Sequence, residues 1–230
     1  MRAILLAAGF GTRLRPITDS IPKCLVPICG QPLLEIWLDK LIWANLTPIL
    51  VNTHYRSEQV ASYVATSAHR DDITLIHEPE LLGTAGTLMA NLSFYEGQDG
   101  LLAHSDNLCR LNLVDLVAAH KQRPPECLIT MLIFRTDNPS ACGIVELDTR
   151  RVVVGFHEKV ALPPGNLANG AVYILSAELI NQFLVGLRKP KDFSADVLPL
   201  LLGRIYTLTT NDLFMDVGTP LAYARANREW

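Results

Sequence analysis

An α/β fold is predicted: a doubly wound, mostly parallel sheet with helices on both faces, plus a small antiparallel hairpin region in the second half. Three observations predict it. Short apolar runs alternate with longer segments of helical period. The runs are apolar at nearly every position, as strands covered on both faces are. Glycine and acidic residues follow the runs, at the carboxyl edge where open α/β sheets bind ligands.

Residues 2–7, RAILLA, read as a buried first strand bounded by glycine. In 32–44, Leu33, Ile36, Trp37, Leu41 and Ile42 share one helical face, with Pro32 at the start. Residues 48–52 are a second strand, 56–67 a helix and 73–78 a third strand. A helix with Thr84 as its cap is expected over 84–94. Residues 100–106 form a fourth strand ending in polar groups, 112–122 a helix and 127–134 a fifth strand. In the second half, 143–148 and 151–159 pair as a hairpin across a polar turn. Residues 167–175 are a strand, 176–187 a helix, 204–210 a late strand and 219–230 a closing helix. The chain reads as a single domain, 1–230, in two parts that divide at about residue 125.

The 230 residues are 49% hydrophobic and 19% charged, with a formal net charge of -3. That balance argues against general nucleic-acid binding. No apolar run approaches the roughly 18 residues that a membrane span needs. The N-terminal run is too short for a signal peptide and passes straight into glycine and arginine. The five cysteines, Cys24, Cys29, Cys109, Cys127 and Cys142, are odd in number and never spaced C-x-x-C. They read as reduced residues of a cytoplasmic protein.

The first strand empties into a loop that holds Gly9, Gly11, Arg13, Arg15 and Lys23. Glycine admits positive φ and a close backbone approach to a ligand. Loop N–H groups can cradle phosphate oxygens, a guanidinium grips phosphate through paired hydrogen bonds, and a lysine acts as a point charge. A tight turn explains the glycines but not the cations that accompany them. A Walker loop is excluded because no G-K follows. The dinucleotide fingerprint fits poorly: Leu14 stands where a third small residue belongs, and the second strand ends in Val51, Asn52 and Thr53 rather than in an acid.

Residues 6–27, LAAGFGTRLRPITDSIPKCLVP, closely resemble the signature G-x-G-T-R-L-x-P-x-T-x-x-x-P-K-x-L of the sugar-1-phosphate nucleotidylyltransferases. Gly9, Gly11, Thr12, Arg13, Leu14, Pro16, Thr18, Pro22 and Lys23 match it. The similarity continues in order at 81–88, Asp106, 143–148, 156–159, 169–175 and 214–227. It is strongest to mannose-1-phosphate guanylyltransferases and to bacterial relatives acting on heptose or other capsule sugars. Short uridylyltransferases acting on N-acetylmuramate 1-phosphate are close as well.

The resemblance implies a Rossmann-like nucleotidyltransferase fold and a reaction that joins a sugar 1-phosphate to an NTP with release of pyrophosphate. The attacking monoester has a second pKa of about 6 and is mostly ionised at pH 7, so no general base is required. The site must bring two polyanions together and stabilise the leaving charge. By resemblance, Arg13 meets the β- and γ-phosphates, Lys23 the α-phosphate and Lys159 the sugar phosphate. Mg²⁺ prefers carboxylate, phosphate and water oxygens, and Asp106 with Asp216 would hold it. Plainer roles stand beside these: Asp106 as a helix cap, Asp216 as a turn carboxylate before Gly218, Lys159 as a solvated hairpin end. The five catalytic candidates are therefore Arg13, Lys23, Asp106, Lys159 and Asp216.

The nucleotide is further assigned to Leu6, Ala8, Gly9, Gly11, Thr12, Glu78, Glu80, Gly83 and Thr84. A carboxylate can accept paired N1–H and N2–H donors from guanine, and no glutamine lies between His77 and Leu88, so Glu78 or Glu80 points to GTP. Gly83 and Gly86 would admit the base to the backbone. Gly143, Glu158, Lys159 and Asn169 are the sugar-binding candidates. His104 and Ser105 depart from the small residues that usually precede the metal aspartate. His104 reads as a supporting group, since imidazole suits Zn²⁺ better than Mg²⁺. No hexapeptide-repeat module is expected, and a homodimer is compatible with the resemblance. Two other readings remain: a UTP-using N-acetylmuramate or N-acetylhexosamine 1-phosphate uridylyltransferase, and a catalytically silent NDP-sugar sensor. The retained charged residues argue against the second.

Overall fold

A computed structural model describes residues 1–230. The chain divides into two compact units. Unit 1 comprises Met1–Leu81, Ala103–Leu111 and Asp212–Trp230; unit 2 comprises Leu82–Leu102 and Asn112–Asn211.

In unit 1 the strands Arg2–Leu6, Ile49–Thr53 and Ile73–His77 run parallel, with Ala3 opposite Ile49 and Ile49 opposite Ile73. Ala3, Ile4, Leu5, Ile49 and Val51 are fully buried. The continuous apolar runs of the first two strands are what double coverage needs, whereas Ile73–His77 lies at the sheet's edge and is only partly buried. The helix Leu33–Trp43 buries Leu33, Ile36, Trp37 and Leu41 as the periodicity predicts. It also buries Leu34 and Leu38, so its apolar face is wider than one stripe. Further helices cover Ser57–Thr66 and Pro220–Glu229, the last capped by Thr219, whose Oγ1 accepts the Ala222 N–H at 3.2 Å.

An antiparallel ribbon pairs Asn107–Cys109 with Phe214–Asp216. The expected turn at Asp216 is therefore a strand. Its register sets Asp216 opposite Asn107 and Met215 opposite Leu108. The cause is burial: Leu108, Met215 and Val217 enter an apolar cluster with Ile28, Leu33, Ile36 and Ala226. Trp37 donates its indole N–H to the Asn107 carbonyl at 2.8 Å and braces the ribbon from the helix.

In unit 2, Leu167–Leu175 lies antiparallel to Ile129–Arg135, with a register shift between Asn169 and Tyr173. Ile205–Thr210 runs parallel to Ile129–Arg135. The predicted hairpin is present as Gly143–Leu147 against Val153–Glu158, and Ile144 pairs onward with Ala168, making the hairpin continuous with the larger sheet. The strand Gly100–His104 falls across the division between the units. The helix Leu113–Lys121 is capped by Asn112, whose side chain accepts the Val114 N–H at 2.9 Å. Asp106 is thus no cap.

Two helical expectations are corrected. Residues 176–187 form a π-helical turn, Leu179–Phe183, and a 3₁₀ turn, Leu184–Gly186. The wider winding brings Leu179 and Leu184, both fully buried, toward one side. The helix expected over 84–94 runs Gly83–Ala90 with Leu82 at its cap position, and a 3₁₀ turn follows at Leu92–Tyr95. Thr84 does not cap it; its Oγ1 accepts the Phe193 N–H at 2.7 Å. Phe193 itself opens a further π-helical turn, Phe193–Val197, that no periodicity announces.

His120 is buried on the helix Leu113–Lys121. Its Nδ1 lies 2.8 Å from Thr130 Oγ1 and its Nε2 3.5 Å from Asp99 Oδ2. Burial disfavours the imidazolium and outweighs the Asp99 carboxylate, so His120 titrates below its ordinary value of 6.5. The unfolded chain then takes up this proton first as pH falls. The stabilisation is complete above 6.5 and is lost as pH falls through the folded value. Asp99, held low by the His120 ring beside it and by the Ala177 N–H that it accepts at 2.8 Å, acts only in the more acid range below 3.8. The melting temperature should fall on mild acidification from neutral pH. His120→Gln should show a smaller fall over that interval by scanning calorimetry.

Candidate functional site

The opening strand ends at Leu6, and its exit is pinned from two sides. Asn52, 3% exposed at the end of the neighbouring strand, accepts the Ala7 N–H at 2.7 Å and donates to Glu78 Oε1 at 2.9 Å. Ser105, 2% exposed, donates both its backbone N–H (3.0 Å) and its hydroxyl (2.8 Å) to the Leu6 carbonyl. Ala8 is buried, and Gly9 follows with no atom within 4 Å of where a Cβ would stand.

Gly11 is different. Its φ is +64°, and a Cβ there would lie 2.9 Å from Thr18 Cγ2 and 3.1 Å from Lys23 Cβ. Its carbonyl accepts the Leu14 N–H and the Thr18 hydroxyl. Thr12 and Arg13 then enter a 3₁₀ turn, Thr12–Leu14, whose Leu14 is the buried anchor. The chain returns through Pro22 into a second 3₁₀ turn, Lys23–Leu25.

Lys23 is the centre of the group. Its side chain is only 10% exposed. Its Nζ donates to Asp106 Oδ2 at 2.7 Å and to Asp216 Oδ1 at 3.2 Å. Arg13 Nη2 donates to Asp216 Oδ2 at 3.2 Å. An ammonium so buried is tolerated only when paired and hydrogen-bonded. The ribbon supplies both carboxylates: Asp106 precedes one strand, Asp216 ends the other, and the Val217 N–H donates to the Asp106 carbonyl at 3.1 Å. Burial opposes ionisation of Asp106, but the Lys23 ammonium, with His104 and hydrogen bonds beside it, holds its carboxyl below the usual range. Gly218 leaves room for the Arg13 pair, since a Cβ there would lie 2.8 Å from Asp216 Oδ2 and 2.9 Å from Arg13 Nη2.

The structure thus brings Arg13, Lys23, Asp106 and Asp216 together within unit 1. Their formal charges cancel. The two aspartates offer convergent carboxylate oxygens, a donor set suited to a hard divalent cation such as Mg²⁺. Glu78 is buried and oriented by Asn52, whereas Glu80 is exposed.

The remaining candidates lie in unit 2. A Cβ at Gly83 (φ +79°) would sit 2.4 Å from the Lys191 carbonyl, so local packing already requires glycine there, and one at Gly86 would make a tight contact of 3.0 Å with Leu82 Cβ. Gly143 and Glu158 face each other across the hairpin: a Cβ at Gly143 would lie 2.6 Å from Glu158 Oε2. Lys159 Nζ donates to Glu158 Oε1 at 2.9 Å and is otherwise well exposed. Asn169 donates to the Tyr173 hydroxyl at 2.7 Å and accepts the Ala171 N–H at 2.9 Å, bracing the strand where its register shifts.

The nucleotidyl transferase family matches residues 2–230. This chain belongs to that family. Among its relatives, mannose-1-phosphate guanyltransferase beta-A of Xenopus laevis is 29% identical over 227 residues, covering 96% of this chain and 62% of that protein. Mannose-1-phosphate guanylyltransferase catalytic subunit beta of Drosophila melanogaster is 30% identical over 225 residues, covering 95% and 60%. Mannose-1-phosphate guanyltransferase 2 of Candida glabrata is 31% identical over 228 residues, covering 96% and 62%. The chain therefore spans about three fifths of the length of these curated relatives.

Two solved structures share the fold. A Bacillus anthracis protein provisionally named a glucose-1-phosphate thymidylyltransferase, in complex with a sucrose, superposes with a TM-score of 0.87 at 21% identity, covering 99% of this chain and 94% of that one. HddC from Yersinia pseudotuberculosis, complexed with GMP-PN, gives 0.81 at 24% identity, covering 99% and 98%. As an α/β nucleotidyl transferase, the chain carries no helix long and apolar enough to cross a membrane, and its cysteines form no disulfide.

Sequence reasoning missed Asn52, Ser105 and Gly218 as supports of the site. A polar residue ending an otherwise apolar strand was the available signal for Asn52 and Ser105; Gly218 had none beyond its neighbour Asp216. The glycines make opposite predictions. Gly11→Ala should cost about 1–2 kcal/mol in urea unfolding, because an L-residue resists this conformation and Thr18 and Lys23 crowd it. Gly9→Ala should leave the unfolding midpoint unchanged.

Proposed function

We propose that the chain is a sugar-1-phosphate nucleotidylyltransferase that converts an NTP and a sugar 1-phosphate to an NDP-sugar and pyrophosphate. One observation carries the reading. A buried lysine is clamped between two aspartates at the mouth of a glycine loop, with an arginine on the same carboxylate. A charge-balanced group of this kind suits a triphosphate delivered with its metal.

In this reading an oxygen of the sugar phosphate attacks the α-phosphorus in line, and the bond to the β-phosphate oxygen breaks as pyrophosphate leaves. Gly9 and Gly11 let the loop approach the phosphates, with Leu6, Ala8 and Thr12 around them. Arg13 stabilises the departing β,γ-charge, and Lys23 the α-phosphoryl oxygens. Asp106 and Asp216 would hold Mg²⁺, which supplies positive charge to the reacting phosphates. Glu158 and Lys159, already paired, take the sugar hydroxyls and the sugar phosphate, with Gly143 and Asn169 beside them. GTP is the proposed nucleotide. The names of the relatives support it, and the exposed Glu80 can meet guanine's paired donors while Glu78 shapes the loop.

Asp106→Asn and Asp216→Asn should each lower turnover on the order of a hundredfold or more, with unchanged circular dichroism. Full turnover in both would remove the metal assignment. A panel of NTPs against several sugar 1-phosphates, read by pyrophosphate release, should single out GTP; turnover with UTP alone would overturn the guanine reading. Lys159→Ala should raise the KM for sugar 1-phosphate more than that for NTP. Equal changes in both would deny it the sugar phosphate.

A further inference from the structure

A second group of potential ligands lies in unit 1 and shares no residue with the cradle. Glu35 and Asp39 stand four apart on the helix Leu33–Trp43, which places them on one face. His69 comes from the turn between the helix Ser57–Thr66 and the 3₁₀ turn Arg70–Asp72. One oxygen or nitrogen from each lies within 4.8 Å of the other two. His69 Nε2 is 2.9 Å from Asp39 Oδ1 and 3.8 Å from Glu35 Oε1.

The outer oxygens are already committed. Tyr63 donates its hydroxyl to Glu35 Oε2 at 2.7 Å, and Gln31 donates its amide to Asp39 Oδ2 at 2.7 Å. Each carboxylate therefore has one oxygen tied back by a neutral donor and the other aimed at the same ring nitrogen. Carboxylates and imidazoles that ligate metals are commonly oriented this way from behind. A ring N–H can satisfy only one of the two inner oxygens well, and at 3.8 Å Glu35 Oε1 is beyond hydrogen-bond reach.

We infer that Glu35, Asp39 and His69 form a binding site for a divalent transition-metal ion of the Zn²⁺ type, tying the helix Leu33–Trp43 to the turn at His69. The donor set of one imidazole and two carboxylates suits such ions and leaves a position for water. Bonds of about 2.0–2.1 Å in a tetrahedron separate ligand atoms by about 3.3 Å. The two observed separations from Nε2 bracket that value, and the Glu35 and Asp39 ligand oxygens lie within 4.8 Å of each other. A metal takes imidazole in its neutral form, so the two carboxylates would bring two negative charges for a divalent ion to balance. With His69 and Glu35 side chains 23% and 19% exposed and Asp39 51% exposed, an ion can enter from solvent on the Asp39 side.

The test is titration of the full, chelator-treated chain with ZnCl₂ and CoCl₂ in excess MgCl₂, read by calorimetry, visible Co²⁺ absorption and melting temperature. One equivalent of Zn²⁺ should bind and raise the melting temperature, and Co²⁺ should give ligand-field bands. His69→Ala should abolish both. Tyr63→Phe, which keeps the packing ring, should weaken affinity by about tenfold. The Asp216→Asn variant, which leaves the Lys23–Asp106 pair in place, should bind as the parent does. Absence of Zn²⁺ binding to the parent, or unchanged binding in His69→Ala, would overturn the site. So would loss of binding in Asp216→Asn. The readouts are independent of turnover, so the proposed reaction stands or falls separately.

Discussion

A buried ammonium must be compensated, and unit 1 is organised around compensating Lys23. Removing one carboxylate from a buried pair leaves a charge that the interior cannot solvate, at a cost of several kcal/mol. Here the compensation comes from a ribbon only three residues wide on each strand. Its position is set by apolar burial below and by the Trp37 hydrogen bond behind. The geometry of the charges is therefore inherited from packing. Electrostatics alone would not place two aspartates side by side, because they repel each other unless a cation stands between.

The same dependence explains the polar residues inside the sheet. Asn52 and Ser105 bury side chains that would be costly if unpaired, and each is bonded directly to the exit of the opening strand. Asn52 reaches both the loop amide at Ala7 and the carboxylate of Glu78. A single amide thus relates the cradle to the segment expected to meet the base. These bonds fix where the glycine loop begins.

Much of this was legible in the sequence. The apolar runs at 2–7, 48–52 and 73–78 correspond to parallel strands, and the hairpin at 143–159 appears where its two patterns meet a polar turn. The cationic glycine loop announced itself by composition. The ribbon did not: three-residue strands have no usable period, and pairing across more than a hundred positions leaves no local trace. The π-helical turns at Leu179–Phe183 and Phe193–Val197 were hidden for another reason, since their winding answers to which side chains are buried around them. Gly83 and Thr84 look like ligand residues in sequence, yet each already has a packing or hydrogen-bonding duty within unit 2.

Lys23 and Asp216 are separated by 193 positions. At common rates of synthesis, about 5–20 residues per second, roughly 10–40 s pass between the translation of one and of the other. During that interval the lysine has at most Asp106 for company, and the ribbon lacks its second edge. The emerging polypeptide cannot complete this corner until the strand Phe214–Asp216 has left the ribosome. Maturation of the cradle therefore waits for residue 216, and a nascent chain that has not reached it would display an unpaired share of this charge to chaperones and proteases.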